Sequence, residues 1–210
     1  MRGVIYMKRI VGLLLALFII GVGCAGAEGV SLDLMSDEEL LQLRNDIDAE
    51  LRSRRTEIPA GEYIVGSDIA AGEYALFNKG ALASYLIVAD GFADIYSVLR
   101  TFEIVSLSNG QIITITDAYA VPYAQAQIPA LSSGAPLYEG MYEAGKHFPA
   151  GKVTLRLSGP LGAYTVYSAP RGAQAQALGF LMFTNSEVTV DVAENQFLLF
   201  SGCEMYAEGE

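Results

Sequence analysis

The chain of 210 residues carries 13 basic and 24 acidic residues, for a net charge of −11, and 52% of its residues are hydrophobic. A chain of this length and hydrophobicity can bury one or two small cores, which excludes a wholly disordered protein. The negative charge repels phosphate backbones and anionic membrane surfaces, so we expect no nucleic-acid partner.

The N-terminus has the composition of a secretory signal peptide. Lys8 and Arg9 precede an apolar run from 10 to 22, which is too short to span a bilayer comfortably and is followed by small residues. Residues 25–27 read Ala-Gly-Ala, a pattern that signal peptidase accepts, so cleavage there leaves Glu28 as the first mature residue. We therefore predict that the protein is secreted or held at the cell envelope, on the extracellular side of the membrane.

A second interpretation of the same region makes the protein a lipoprotein. Residues 21–24, Gly-Val-Gly-Cys, look like a degenerate bacterial lipobox in which Cys24 is lipidated and becomes the mature N-terminus. Gly21 stands where a lipobox usually has a branched apolar residue. Free secretion, lipidation and an uncleaved anchor all stay open, and each confines membrane attachment to a signal or lipid anchor.

Residues 36–55 form the only stretch with a convincing helical pattern. Ser36 and Glu39 make a capping box, and arginines crowd the other end, where the helix dipole favours cations. An apolar residue recurs every three or four positions, which is the spacing of one helix face: Leu40, Leu43, Ile47 and Leu51. We expect this face to pack on the β domains, with a short coiled-coil dimer as the alternative.

Beyond residue 56 the chain changes to short alternating runs rich in Tyr, Val, Ile and Thr, interrupted by Gly, which is the pattern of antiparallel strands. Residues 61–88 and 140–167 align without a gap at an offset of 79, and nine of the 28 positions are identical. Further along, an offset of 75 lays Val105 over Phe180 and Ile113 over Val188. We therefore predict a duplicated unit, here called a repeat, of five or six strands.

The two copies share glycine, tyrosine, leucine and alanine, the residues of turns and cores. The ionisable positions differ, since Asp68 aligns with His147 and Glu73 with Lys152. The duplication therefore predicts a copied β scaffold and argues against a repeated active site.

The residues GEYIVGSDIAAGEYAL, 61–76, resemble the GxYxVGxDIPAGxYxL repeat of uncharacterised secreted proteins and lipoproteins of Gram-positive bacteria. The preceding MSDEELLQLRNDIDAEL, 35–51, looks like the short helix that often comes before such repeats. The second copy departs from this pattern, with His147 and Lys152 inside the motif. The resemblance implies an exported β protein and supplies no activity or site residue.

Few residues in the sequence suit catalysis or metal binding. With Cys24 removed or lipidated, Cys203 stands alone and His147 is the single histidine, too few ligands for zinc. We expect His147 to be a surface turn residue and Cys203 a small buried residue, with a disulfide-linked homodimer as the alternative. Asp90 and Asp94 lack the alternating acids of a calcium loop. We predict no catalytic residue, no cofactor and no metal.

Two alternatives to plain protein binding stay open. A carboxylate-based hydrolase needs paired acids, and Glu62 and Glu73 flank a turn whose duplicate carries methionine and lysine. A glycan-binding module needs exposed aromatic rings, and the best candidates are Tyr119 and Tyr123, at the end of the first repeat.

These patterns together predict a mainly β fold, with two tandem duplicated small antiparallel β-sandwich-like units preceded by one amphipathic helix. The predicted segments are a signal peptide at 1–27, the helix segment at 28–57, the first repeat at 58–123, a linker at 124–138 and the second repeat at 139–208. We predict a non-catalytic exported binding or structural protein of the cell envelope, acting on a protein or glycan at the cell surface.

Overall fold

The computed structural model describes residues 35–44, 57–132, 135–172 and 174–206. The predicted signal peptide, the lipidation candidate Cys24, and Ile47 and Leu51 of the helical stripe lie outside the described residues. The chain divides into two compact parts, residues 1–48 and 49–210. In the described ranges, we find no helix with the length and hydropathy that a membrane span requires.

Residues 37–44 are helical, and the predicted capping box is present at the start of this helix. The backbone N–H and the hydroxyl of Ser36 both donate to the Glu39 carboxylate at 2.9 Å, and the Glu39 N–H donates back to the Ser36 hydroxyl oxygen at 3.3 Å. These bonds satisfy N–H groups that have no partner inside the helix. The backbone and side-chain hydrogen bonds from Ser36 lower the pKa of the Glu39 carboxyl.

The first repeat contains seven antiparallel strands in two sheets, more than the five or six predicted. The strands are β1 (Gly61–Ile64), β2 (Gly72–Asn78), β3 (Ser84–Ala89), β4 (Phe92–Val98), β5 (Phe102–Leu107), β6 (Ile112–Thr116) and β7 (Ala118–Pro122). The four-stranded sheet has the order β1-β6-β3-β4, and the three-stranded sheet has the order β5-β2-β7. Alternate residues of both sheets form one core, which includes Leu76, Tyr85, Ile87, Val105 and Ile113.

The second repeat follows after a 3₁₀ turn, Tyr123–Gln125, and a linker. Its strands are β8 (Gly140–Glu143), β9 (Gly151–Leu157), β10 (Gly162–Tyr167), β11 (Ala177–Phe183), β12 (Glu187–Val192), β13 (Phe197–Ser201) and β14 (Cys203–Tyr206). The sheet orders are β8-β13-β10-β11 and β12-β9-β14. Each strand of the first repeat thus has a counterpart seven strands later in the same place, which confirms the predicted pair of tandem β-sandwich-like units.

The strand register corrects the predicted alignment of the later strands. Val105 lies opposite Tyr74, and the equivalent ladder places Val190 opposite Val153. Residue 74 of the first repeat is equivalent to residue 153 of the second, at the offset of 79. Their cross-strand partners, residues 105 and 190, are therefore equivalent too, and the offset between the repeats at this point is 85 instead of 75. The error arose because alternation has a period of two, so a shift by ten residues still matches apolar with apolar.

A longer loop in the second repeat accounts for most of the increase in the offset from 79 to 85. β3 and β4 are joined by Asp90 and Gly91 alone, both at positive φ, as a tight two-residue hairpin requires. β10 and β11 are joined by residues 168–176, which we call the clasp loop. This loop lies against the first repeat, where the Arg171 N–H donates to the Ile104 carbonyl at 2.9 Å and Ser106 N–H donates to the Arg171 carbonyl at 2.8 Å.

Candidate functional site

The two repeats meet in a joint built from the outer faces of one sheet of each repeat. Along β5, Val105 belongs to the core of the first repeat, whereas its neighbour Ile104 belongs to the joint. Along β13, Leu198 belongs to the second core and Phe197 to the joint. The buried members of the joint are Ala75, Ile104, Tyr123, Met141 and Phe197. The repeats therefore share apolar surface that neither could bury alone.

A row of five aromatic rings crosses this joint. Neighbouring ring centroids lie 5.0–5.7 Å apart, in the order Tyr119, Phe77, Phe102, Tyr142 and Phe200. Phe102 lies directly on the backbone of the second repeat, because a Cβ atom at Gly140 would be 2.3 Å from its ring. Such offset and edge-on contacts between rings contribute beyond simple burial.

A buried ion pair joins the clasp loop to the core of the first repeat. The guanidinium of Arg171 contacts the Glu103 carboxylate at 2.5 Å and donates to the Ser97 hydroxyl at 2.9 Å. Tyr85 and Ser97 hydroxyls donate to the same carboxylate at 2.8 and 2.7 Å. Burial, reinforced by the Glu103 charge, raises the pKa of Tyr85 well above its ordinary value, so the phenol stays a donor. Glu103, only 5% exposed, therefore depends on a residue of the other repeat.

Tyr123, one of the two predicted glycan-binding residues, is buried in the joint. Its hydroxyl donates to the Glu143 carboxylate, and the ammonium of Lys146 lies 3.6 Å from its ring centroid. Burial and the neighbouring Glu143 raise the pKa of Tyr123 far above its ordinary value. The expectation of an exposed ring is wrong here, because the 3₁₀ turn after β7 folds the ring between the repeats.

His147 is a turn residue, as predicted, but it is buried instead of lying on the surface. Its Nδ1 accepts the Glu143 N–H at 2.9 Å, just as the Asp68 carboxylate accepts the Ile64 N–H at 2.8 Å in the first repeat. The imidazole thus replaces a carboxylate as the acceptor that closes the turn. This role requires the neutral ring, with its proton on Nε2.

We predict that His147 makes stability fall in acid. Burial and the adjacent Lys146 charge lower the pKa of His147 from 6.5 to about 4. The unfolded chain therefore binds more protons between these values, so this stability is present above pH 6.5 and is lost toward pH 4. The loss amounts to at most about 3 kcal/mol, measured by urea unfolding at several pH values.

The matched control is His147→Asn, whose amide oxygen accepts the same N–H without titrating. Its unfolding free energy should lack the His147 component between pH 6.5 and 4. Identical pH slopes for the two proteins would contradict the assignment of the neutral ring.

Tyr119, the second predicted glycan-binding residue, is half-buried and stacks on Phe77. It lines a cleft of about 630 Å³ together with Glu57, Lys79 and Asp117. The cleft therefore combines one aromatic ring with charged groups of both signs. Glu62 and Glu73, the acids considered for hydrolysis, are both exposed and lie on β1 and β2, which belong to different sheets.

Cys203 is buried on β14 and forms no disulfide in the described structure. Burial raises the pKa of its thiol to about 11. Asp90 and Asp94 are exposed at the β3–β4 hairpin, and within the described ranges no three His, Cys, Asp or Glu side chains converge on a possible metal position.

We predict that Cys203 of the folded protein resists alkylation. At pH 8 a thiol of this pKa is ionised in about one molecule in a thousand, and the sulfur is also out of reach. Iodoacetamide labelling followed by mass spectrometry should give an unmodified folded chain and full modification in urea. Rapid labelling of the folded chain would revive the alternative of a disulfide-linked homodimer.

Large apolar side chains are exposed at equivalent places in both repeats. β4 and β11 are counterpart edge strands. Tyr96 lies opposite Leu86 and Phe180 lies opposite Thr165, so Tyr96 and Phe180 occupy equivalent positions of the two repeats. In the same way Val98, opposite Ser84, is equivalent to Met182, opposite Ala163. The exposed fractions are 65% for Tyr96, 63% for Phe180, 59% for Val98 and 54% for Met182. We call these four side chains the apolar strip.

Reasoning from the sequence missed the apolar strip because the offset of 75 laid β11 over a core strand. The signal was present in ALGFLMF, residues 177–183, where apolar residues follow one another without alternation and without a charge. Leu178 and Leu181 of the same strand are also exposed.

No protein-family model, curated protein sequence or solved structure matches this chain.

Proposed function

We propose that this chain is a non-catalytic exported protein that binds a protein partner at the cell envelope through the apolar strip. The observation that carries this proposal is the exposure of Tyr96, Phe180, Val98 and Met182 at corresponding positions of the two repeats. On each strand the two side chains are two residues apart and therefore lie on the same face, and exposed apolar side chains that adjoin in this way mark interaction surfaces in soluble proteins. The leader-like N-terminus and the resemblance to exported repeat proteins support the location.

The scaffold suits binding because the rest of the fold holds in place the strands that carry the apolar strip. The strip lies on strands of two sheets, and the clasp loop and the aromatic row join the repeats that carry them. Binding residues placed on rigid elements lose little conformational entropy when a partner docks. The negative charge of the chain adds selectivity, since it disfavours acidic partners.

The test is capture of envelope proteins by the immobilised mature chain and by the double variant Tyr96→Ser, Phe180→Ser. Capture of a specific protein by the wild type should fall at least about tenfold in the variant, because two aromatic contacts are lost. Tyr138→Ser is the control, since Tyr138 is equally exposed at 62% but lies outside the strip. Equal capture by all three proteins would refute the proposal.

A glycan-binding module is the second candidate, and the cleft at Tyr119 favours it. Carbohydrates are bound by an aromatic face combined with polar groups that accept and donate hydrogen bonds. Tyr119 supplies the ring, and Glu57, Lys79 and Asp117 supply the polar groups.

Cosedimentation with purified cell-wall polysaccharide tests the glycan candidate. Lys79→Ala should reduce binding if the cleft is the site, and it leaves the Tyr119–Phe77 stack in place. Lys152→Ala, another exposed strand-region lysine that lies outside the cleft, is the control. Retention of binding by Lys79→Ala would exclude this cleft.

A further inference from the structure

We propose that two copies of this chain pair through the edge strand β11 as a symmetric antiparallel dimer centred on Leu181. The proposal rests on the proposed function, because it names a second copy as the partner for the β11 half of the apolar strip. The two four-stranded sheets would then join into one continuous sheet across the dimer.

Three of the other edge strands already have a backbone partner. Isolated bridges connect β7 to Ile58, β14 to Leu137 and β5 to Arg171 of the clasp loop. Each bridge uses edge N–H and C=O groups that would otherwise be free to pair with another chain. The bridges at Ile58 and Leu137 occupy equivalent positions of the two repeats, so this protection was duplicated along with the fold.

The remaining edges carry charges that discourage pairing. Glu62 lies on β1, Asp94 on β4, Glu143 on β8, and Glu187 with Asp191 on β12. A charge that would face a like charge of a second copy opposes sheet extension. In the described part of the chain, β11 is the edge strand that has no charge, no proline and no bridge. Its one irregularity is the bulge at Leu178, which leaves Gly179–Phe183 regular.

This regular stretch is complementary to itself. Directly opposite residues of antiparallel strands point to the same face, so a symmetric pair must be centred on a residue. With Leu181 at the centre, Leu181 faces its own copy on one side of the sheet. On the other side Phe180 faces Met182 of the second copy, twice by symmetry, and contacts between a thioether and an aromatic ring are favourable.

The charge distribution is also compatible with a second copy at this edge. Two copies with a net charge of −11 repel each other over most approaches. Residues 172–186 contain no ionisable side chain, so pairing at β11 brings no like charges directly opposite each other. The small contact predicts a weak dimer, with a dissociation constant in the range of about 1 µM to 1 mM.

Sedimentation velocity of the mature chain over a concentration series tests the dimer. The wild type should show a concentration-dependent monomer–dimer equilibrium, and Met182→Lys should weaken it at least about tenfold by placing a charge beside Phe180 of the second copy. Val98→Lys is the matched control, because Val98 occupies the equivalent position of β4. Equal weakening by both variants, or by neither, would overturn the assignment to β11.

Disulfide trapping tests the register. Leu181→Cys should form a disulfide-linked dimer under mild oxidation, because the two sulfurs would face each other, whereas Phe180→Cys should not. The native Cys203 is buried and contributes no background in the folded chain. Trapping by Phe180→Cys in preference to Leu181→Cys would overturn the proposed centre.

The outcomes separate this proposal from the proposed function. A wild-type chain that stays monomeric up to millimolar concentration overturns the dimer, and if Tyr96→Ser, Phe180→Ser still loses an envelope partner, the proposed function stands. If Met182→Lys weakens the dimer as predicted and no envelope protein is captured, the dimer is confirmed and the proposed binding of an envelope protein is refuted.

Discussion

Replacing Arg171 by alanine is expected to lower the free energy of unfolding by about 3 to 5 kcal/mol. The reason is that the variant leaves the buried Glu103 side chain without its cation, with only the hydroxyls of Tyr85 and Ser97 as partners. Removing one partner of a buried pair costs more than the pair itself contributes, because the remaining charge stays desolvated. Urea denaturation at pH 7, followed by tyrosine fluorescence, measures the loss.

Two further variants identify the source of this loss. Arg100→Ala removes an arginine that is 70% exposed and lies 3.9 Å from Glu139, so it should cost less than about 1 kcal/mol. Glu103→Gln combined with Arg171→Met removes both charges and should recover part of the stability lost in Arg171→Ala. A loss from Arg171→Ala no larger than that from Arg100→Ala would show that the Arg171–Glu103 ion pair does not stabilise the fold.

Replacing Phe102 by alanine is expected to lower the free energy of unfolding by about 3 to 5 kcal/mol. Phe102 is buried, stacks on Phe77 and meets Tyr142 edge-on at 5.0 Å, so the substitution opens a cavity in the middle of the aromatic row. The contact with Gly140 disappears as well, which weakens the joint on both sides. Differential scanning calorimetry should show a lower melting temperature.

Phe92→Ala is the control for Phe102→Ala, since it makes the same chemical change where the ring is 79% exposed. It should change stability by no more than about 0.5 kcal/mol. If the joint couples the unfolding of the two repeats, wild type and Phe92→Ala should each melt in one transition. Phe102→Ala should melt in two transitions, one for each repeat. A Phe102→Ala protein as stable as Phe92→Ala would contradict the central place given to the aromatic row.

The outcome at Tyr123 shows why the candidate site was only partly predictable. Its place at the end of the first repeat was readable from the sequence, and the ends of a domain are usually poorly packed. Its burial depends on Phe197 and Lys146, which lie more than 20 residues further along the chain. His147 is similar, since its turn position follows from local sequence whereas its burial is imposed by Tyr123 and Tyr142.

The sequence by itself determined the local features of this protein. The capping box at Ser36, the alternation that buries Leu76 and Leu155, and the duplication of the β unit all depend on residues close together in the chain or on a comparison of the chain with itself. The tertiary structure alone decided the offset of 85, the clasp loop at Arg171, the joint and the exposed edge at β11. These depend on which strands pair and which faces meet across long stretches of chain, and a pattern of period two repeats too often to specify either.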